Sequence, residues 1–185
     1  ARPSRRSPER PAALPGLRYG DALAALGARV GQGPVLRYTE EARTDPARAG
    51  NATWGDYLAA CGLDREEVLR GHLNWWRQKI VDEDASMLVA DCAPTALWAA
   101  QGLKAEGWEI EILSVGTGYG LPPARLPQFP VLLPDYDRRV TDEAAMLATL
   151  NRLAVEEDLP PLATLPALAT ADLEIAFTLP VLDPY

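Results

Sequence analysis

Three short apolar segments, separated by longer segments with helical spacing, organise the second half of this chain. Residues 87–90 contain no polar side chain and lead directly into Asp91. Residues 109–115 alternate between charged and apolar side chains before becoming apolar, and residues 173–177 form the third segment. Short runs of this kind favour strands, and the long connections between them favour parallel pairing. The pattern predicts an α/β fold, a three-layer domain with a small parallel sheet.

Helical spacing of apolar residues marks two long segments on either side of these strands. Residues 63–81 carry such a stripe, and Asp64 with Glu67 has the spacing of a capping box at its start. Residues 141–156 carry a second stripe, for which Thr141 is the predicted cap. Both segments are therefore predicted to be helices that pack an apolar face on the core.

Two shorter segments begin in the same way. Residues 19–27 and 54–62 each read as an aromatic residue, Gly-Asp, an apolar stripe and a closing glycine. A solenoid needs at least three repeats, so this likeness predicts two short helices with similar ends.

Composition sets the domain organisation. The chain has 185 residues, of which 48% are hydrophobic and 24% are charged, as in one ordinary globular domain. Residues 1–15 are rich in arginine and proline, which predicts an extended arm. Residues 16–185 are predicted to form a single α/β domain.

The net charge and the cysteine content indicate which classes of partner and which cellular compartment the sequence favours. The net charge of -8 argues against a nucleic-acid partner. No apolar run approaches the roughly 20 residues of a membrane span, so no transmembrane segment is expected. Cys61 and Cys92 lack metal spacing, and two cysteines are too few for a disulfide framework, which favours the cytoplasm and no bound metal. The single histidine, His72, falls within the predicted helix 63–81 and is interpreted as a packing or surface residue.

Asp91 is the first candidate for chemistry. It stands at the carboxyl end of a predicted strand, three residues before Pro94, which suits the first turn of a helix. Ligands of open α/β sheets bind in the crevice outside the carboxyl ends of the strands. A carboxylate near a helix N-terminus is also favourable by itself, so a structural role as a cap and a chemical role both remain open.

The glycine-rich loop after the second strand is the other candidate. It reads Gly116-Thr117-Gly118-Tyr119-Gly120, but leucine follows it and two prolines then block the helix that would receive a pyrophosphate. The dinucleotide fingerprint is therefore not met, which counts against an unrelated nucleotide-binding domain. A ligand-facing loop and a tight turn that serves only the topology are the two remaining interpretations.

The segment around Asp91 and the glycine-rich loop, taken in this order along the chain, resemble segments of a known family. Together with supporting segments downstream, the chain is similar to the N-terminal acceptor domain of bacterial family-1, GT-B glycosyltransferases that use nucleoside-diphosphate sugars. The resemblance spans roughly residues 52–185, and the segments that carry it are residues 89–97, 115–123, 149–152, 159–162 and 177–185.

The resemblance implies a Rossmann-like domain that binds a small-molecule or lipid acceptor. Asp91 matches an aspartate that orients a base histidine, and Thr117, Gly118 and Tyr119 fall where the acceptor binds. The donor would be a nucleoside-diphosphate sugar, with no further cofactor. The family's base-histidine loop and donor domain have no counterpart in this sequence, so the chain is expected to be incomplete at both ends and inactive alone. The alternative is a non-catalytic small-molecule-binding or interaction module derived from the same fold.

Overall fold

A computed structural model describes residues 20–45, 52–132 and 139–179, together with residues 181, 183 and 185. The chain divides into two units, Ala1–Gly33 and Pro34–Tyr185. The described part of the first unit contains helix α1, Gly20–Ala25, which has no buried residue. The arm predicted for residues 1–15 lies outside the described residues, as does the predicted domain start at residue 16.

The second unit alternates helices and strands. Among the described residues no helix is long and apolar enough to cross a membrane, and the longest, α4, has 17 residues. Its elements in chain order are α2 (Glu40–Thr44), α3 (Trp54–Ala60), α4 (Glu66–Asp82), β1 (Met87–Asp91), α5 (Pro94–Ala105), β2 (Glu111–Gly116), a 3₁₀ turn (Gly118–Gly120), α6 (Glu143–Glu156), a second 3₁₀ turn (Leu165–Ala169) and β3 (Leu173–Ala176).

The three predicted strands form one parallel sheet in the order β1-β2-β3. Asp91 is opposite Val115 in the β1–β2 pair, and Ser114 is opposite Glu174 in the β2–β3 pair. The α/β class and the parallel pairing are therefore confirmed. The second strand begins at Glu111, two residues later than predicted, and before it the Trp108 indole N–H donates to the Ala85 carbonyl at 3.1 Å.

Helix α3 is fixed by a capping box that the sequence analysis did not identify. The Thr53 hydroxyl accepts from the Asp56 amide, and the Asp56 carboxylate accepts from the Thr53 amide. The other oxygen of Asp56 accepts from the amides of Val140 and Thr141, at 3.0 and 2.8 Å. One buried aspartate thus joins the start of α3 to the segment that leads into α6.

The caps predicted for the two longer helices are wrong. Arg65 is the N-cap of α4 and makes no side-chain cap hydrogen bond, so the box predicted for Asp64 and Glu67 does not form there. Asp142 caps α6 by accepting from two backbone amides, one residue after the predicted Thr141. Thr141 instead contributes its backbone amide to the carboxylate of Asp56.

The core lies in two clusters on one side of the sheet. The larger cluster is formed by α3, α4, α5, α6 and the second 3₁₀ turn, with Trp98 fully buried at its centre. The smaller cluster joins the sheet to α5 and the end of α4; its buried members are Ile80, Ala90, Leu97, Ala100, Leu103, Ile110 and Ile112.

The expected three-layer arrangement is not what the described residues form. Leu88, Ala90 and Ile112 face the smaller cluster, whereas Met87 and Val89 point to the opposite face and are exposed. The connection from β1 to β2 contains α5, and the connection from β2 to β3 contains α6. Both lead to the next strand in the same direction across the sheet, and right-handed connections of that kind place their helices on the same face. Helices on both faces would need a reversal of strand order, which this sheet does not have.

Candidate functional site at the carboxyl edge of the sheet

An open groove of about 520 Å³ lies where β2 and β3 end. The sequence-predicted residues Thr117, Gly118 and Tyr119 all line it, on the side of β2. The other wall, which the sequence analysis did not identify, is the chain leaving β3, Phe177 to Leu179. Because the strands are parallel, both of these segments leave the sheet at the same edge.

The glycine-rich loop is held in place by the first residue of α3. The Trp54 indole N–H donates to the Tyr119 carbonyl at 2.7 Å, and the hydroxyl of Tyr185 donates to the same oxygen at 3.2 Å. The rings of Trp54 and Tyr119 lie 5.6 Å apart. The carbonyl of Tyr119 is thus fixed by two donors, while its side chain remains about half exposed at the groove.

Gly118 allows this loop to approach the end of the chain closely. A Cβ atom at this position would lie 3.1 Å from the Cγ2 atom of Thr178 and 3.3 Å from a carboxylate oxygen of Asp183. Both separations are tighter than ordinary van der Waals contact. A side chain here would require Thr178 and Asp183 to shift by a few tenths of an ångström, so glycine permits this close approach.

Asp91 lies at the same edge but outside this groove. Its carboxylate is exposed, is absent from the groove's lining and makes no hydrogen bond to the described residues. One carboxylate oxygen lies 3.3 Å from where a Cβ of Gly116 would be, so the side chain reaches over the end of β2. Helix α5 has Ala93 as its N-cap without a side-chain hydrogen bond, and the interpretation of Asp91 as its cap is therefore wrong.

The turn after Asp91 contains a strained residue. Cys92 has φ +48°, a left-handed conformation that costs a side-chain-bearing residue on the order of 1 kcal/mol or more. Burial, and secondly the charge of Asp91, raise the pKa of its thiol, so Cys92 stays protonated and unreactive at neutral pH. Cys92 also lines a small, mainly apolar pocket of about 30 Å³ with Trp54 and Pro94, which is large enough for a single water molecule.

Aromatic side chains continue from the groove across α3. Trp54 packs edge-on against Tyr57 at 5.1 Å, and Tyr57 packs against Tyr38 at 6.0 Å. Burial raises the pKa of Tyr57 to about 12, so its hydroxyl is neutral at physiological pH. Of these aromatic residues, only Tyr119 lines the groove, and the others support it from behind.

Among the described residues, the groove is lined by no histidine and lies beside no cluster of metal ligands. His72 lies half-buried on α4, and burial lowers its pKa. Among the described residues, no group of three or more His, Cys, Asp or Glu side chains is placed to hold a metal ion. The functional groups at the carboxyl edge are hydroxyls, backbone groups, aromatic rings and the carboxylate of Asp91.

A second, more polar pocket of about 300 Å³ lies between α2, α3 and α6. Asp56 and Asp142 line it, but their carboxylates already accept backbone amides of the 139–145 segment. Glu143, beside it, has one oxygen bound to the Phe129 amide, and burial raises its pKa. The carboxylates of these acids accept hydrogen bonds from backbone amides that hold neighbouring segments in place. We therefore interpret this pocket as structural.

No protein-family model, curated protein or solved structure matches this chain. The geometry of the carboxyl edge and the resemblance of its two motifs are the observations that bear on function.

Proposed function

We propose that this chain is the acceptor-binding part of an inverting glycosyltransferase. The observation that supports the proposal most strongly is the groove at the carboxyl edge, where the glycine-rich loop and the exit of β3 face each other. Loops that a rigid scaffold holds in place carry binding residues disproportionately often. The acceptor would be a hydroxyl-bearing small molecule or lipid that lies against Tyr119, Phe177 and Leu179, all of which expose apolar surface there.

Asp91 is assigned the role of a partner to a base histidine. In the proposed reaction the histidine removes the proton of the acceptor hydroxyl, and the hydroxyl oxygen attacks the anomeric carbon directly, which inverts it. A carboxylate next to the histidine holds the ring and stabilises the imidazolium that forms. Asp91 is exposed at the end of β1, and its carboxylate makes no hydrogen bond to the described residues. It is therefore available to hold a histidine. His72 lies on α4, so the histidine is expected from residues outside this chain.

The sugar donor would be a nucleoside diphosphate sugar bound by a separate, Rossmann-like donor domain. Within the described residues, the loop after β2 leads into a three-residue 3₁₀ turn, which offers no helix N-terminus of useful length to a pyrophosphate. The cytoplasm suits this role, since both cysteines are free thiols.

Amide NMR of the 185-residue chain tests acceptor binding. A panel of a phenol, a macrolide aglycone and a long-chain alcohol is titrated, and uridine and thymidine diphosphate sugars are titrated separately. We expect one acceptor class to shift amides of residues 116–120 and 177–179, and the sugar nucleotides to shift nothing at about 1 mM.

Two variants make the test specific. Leu179→Asp places a charge in the groove and should weaken acceptor binding about tenfold, while Val155→Asp, on the exposed side of α6, should not change it. Saturable binding of a sugar nucleotide, or acceptor shifts far from the groove, would contradict the proposal. Near-normal turnover of Asp91→Asn in the assembled enzyme, with intact stability, would instead make Asp91 a structural residue.

A further inference from the structure

The sheet face opposite α5 is an uncovered apolar surface. Its side chains follow from the register: Met87 and Val89 on β1, Leu113 and Val115 on β2, and Leu173 and Ile175 on β3. Met87, Val89 and Leu173 are each more than half exposed, at 51%, 56% and 52%. Parallel sheets are normally covered on both faces, so a face of this kind marks a surface for association.

The charged strand residues that share this face are all acidic. Asp91 and Glu111 stand at its two ends, and Glu109 precedes β2 on the same side of the sheet. The segments 86–91, 109–116 and 172–179 contain no lysine or arginine. A partner that buries the apolar centre would therefore gain from cations placed at its ends.

We propose that this open face binds an amphipathic α-helix that carries lysine or arginine on both sides of its apolar stripe. On the opposite face, β1 and β2 are covered by α5, a helix of 12 residues. Such a helix is about 18 Å long, close to the roughly 17 Å of a five-residue strand. The partner helix would thus need about three turns, as α5 does.

A second copy of the chain fits the face less well. Stacking two open faces would bring Asp91 and Glu111 of each copy against the same carboxylates of the other, on chains that each carry a net charge of -8. Like charges facing each other at an interface oppose association. Charge complementarity therefore selects a basic helix over self-association.

The probe is a pair of fluorescent peptides of about 14 residues that share one leucine stripe. One peptide has lysines beside the stripe, and in the other every lysine is replaced by glutamate. Fluorescence anisotropy with the 185-residue chain should show saturable binding of the lysine peptide and at least about tenfold weaker binding of the glutamate peptide. Salt near 1 M should reduce this difference between the peptides.

Matched variants locate the binding surface. Val89→Asp should weaken binding of the lysine peptide by about tenfold or more, whereas Val155→Asp, at an 80% exposed site on α6, should leave it unchanged. Glu111→Lys should weaken binding severalfold, whereas Glu174→Lys, on the other face of the same sheet, should not. Circular dichroism before the titrations establishes that each variant is folded.

Three results would overturn the proposal. The first is that neither peptide binds up to about 1 mM, and the second is that both bind equally well. The third is a dimer in sedimentation that Val89→Asp dissociates, since that result makes a second copy the occupant of the face.

Discussion

The two faces of the sheet share strands and register but differ in burial, most clearly on β1 and β2. On one face Ile112 is 1% exposed beneath α5, and on the other its neighbour Leu113 lies between the exposed side chains of Val89 and Leu173. All of these residues are apolar, so side-chain type does not distinguish the faces. The difference comes from the connections, which place their helices on one side only. Stability should therefore reside on the covered face, and the open face is left for recognition.

The largest expected effect comes from truncating the covered face. Ile112→Ala should lower the free energy of unfolding by about 2–5 kcal/mol, because it leaves a cavity under α5. Val89→Ala, on the open face, should change it by no more than about 0.5 kcal/mol. Urea denaturation of both variants measures the contrast, and equal losses would show that the open face is buried in solution.

A smaller effect is expected where the covering helix is held in place. A Cβ at Gly102 of α5 would overlap Leu159 and lie 2.9 Å from Nη1 of Arg77, so Gly102→Ala should destabilise the chain by about 1 kcal/mol. Gly71 on α4 has no atom within 4 Å of such a Cβ, and Gly71→Ala should stabilise it by about 0.5–1 kcal/mol. Thermal unfolding of the two variants should show shifts of opposite sign; a stabilised Gly102→Ala would mean that α5 is loosely held.

The smallest effect concerns the ion pair that ties α5 to the sheet. Asp172 accepts from Lys104 at 2.6 and 2.7 Å and from the Ile112 amide at 2.9 Å, and these donors, Lys104 first, lower its pKa. A lowered pKa stabilises the fold above the ordinary aspartate value of about 3.9 and loses this effect as the pH falls through the folded-state pKa.

Asp172→Asn should therefore reduce the loss of stability on acidification below about pH 4, with an effect at neutral pH under about 1 kcal/mol because the pair is half exposed. Urea titrations across this range measure it. The control is Glu174→Gln, two residues further along β3, which forms no ion pair with the described residues. An unchanged acid profile for Asp172→Asn would contradict the assignment.

Periodicity was sufficient to predict the strands but not the layers. The runs at Met87–Asp91, Glu111–Gly116 and Leu173–Ala176 could be recognised because each is short, apolar and flanked by helical spacing. Which face the helices cover depends on strand order, and strand order depends on contacts between segments tens of residues apart. No local pattern contains that information.

The helix N-caps also could not be predicted from local sequence patterns alone. Asp64 with Glu67 and Thr53 with Asp56 both have capping-box spacing, yet only the second pair forms a box. Asp56 is held by Val140 and Thr141, which are 84 and 85 residues away in sequence. Local spacing therefore proposes a cap, and distant contacts decide which one forms.

At the candidate site, the glycine-rich loop could be predicted and its support could not. Thr117, Gly118 and Tyr119 border the groove because a loop at a strand's carboxyl end must face that edge. Trp54, which holds the loop, is 65 residues from Tyr119 in sequence. Its place at the start of a short helix gave no signal of this contact, because residues 19–27 have the same sequence pattern, and the helix within them, Gly20–Ala25, has no buried residue.

Methionine oxidation tests the openness of the second sheet face most directly. The chain has two methionines: Met87, half exposed on the open face, and Met146, 3% exposed in the core. Sulfoxide formation requires access of the oxidant to the sulfur. Dilute hydrogen peroxide followed by peptide mass spectrometry should show Met87 oxidised at least about tenfold faster than Met146 in the folded chain, and at the same rate in urea. Protection of Met87 equal to that of Met146 without denaturant would contradict an open face.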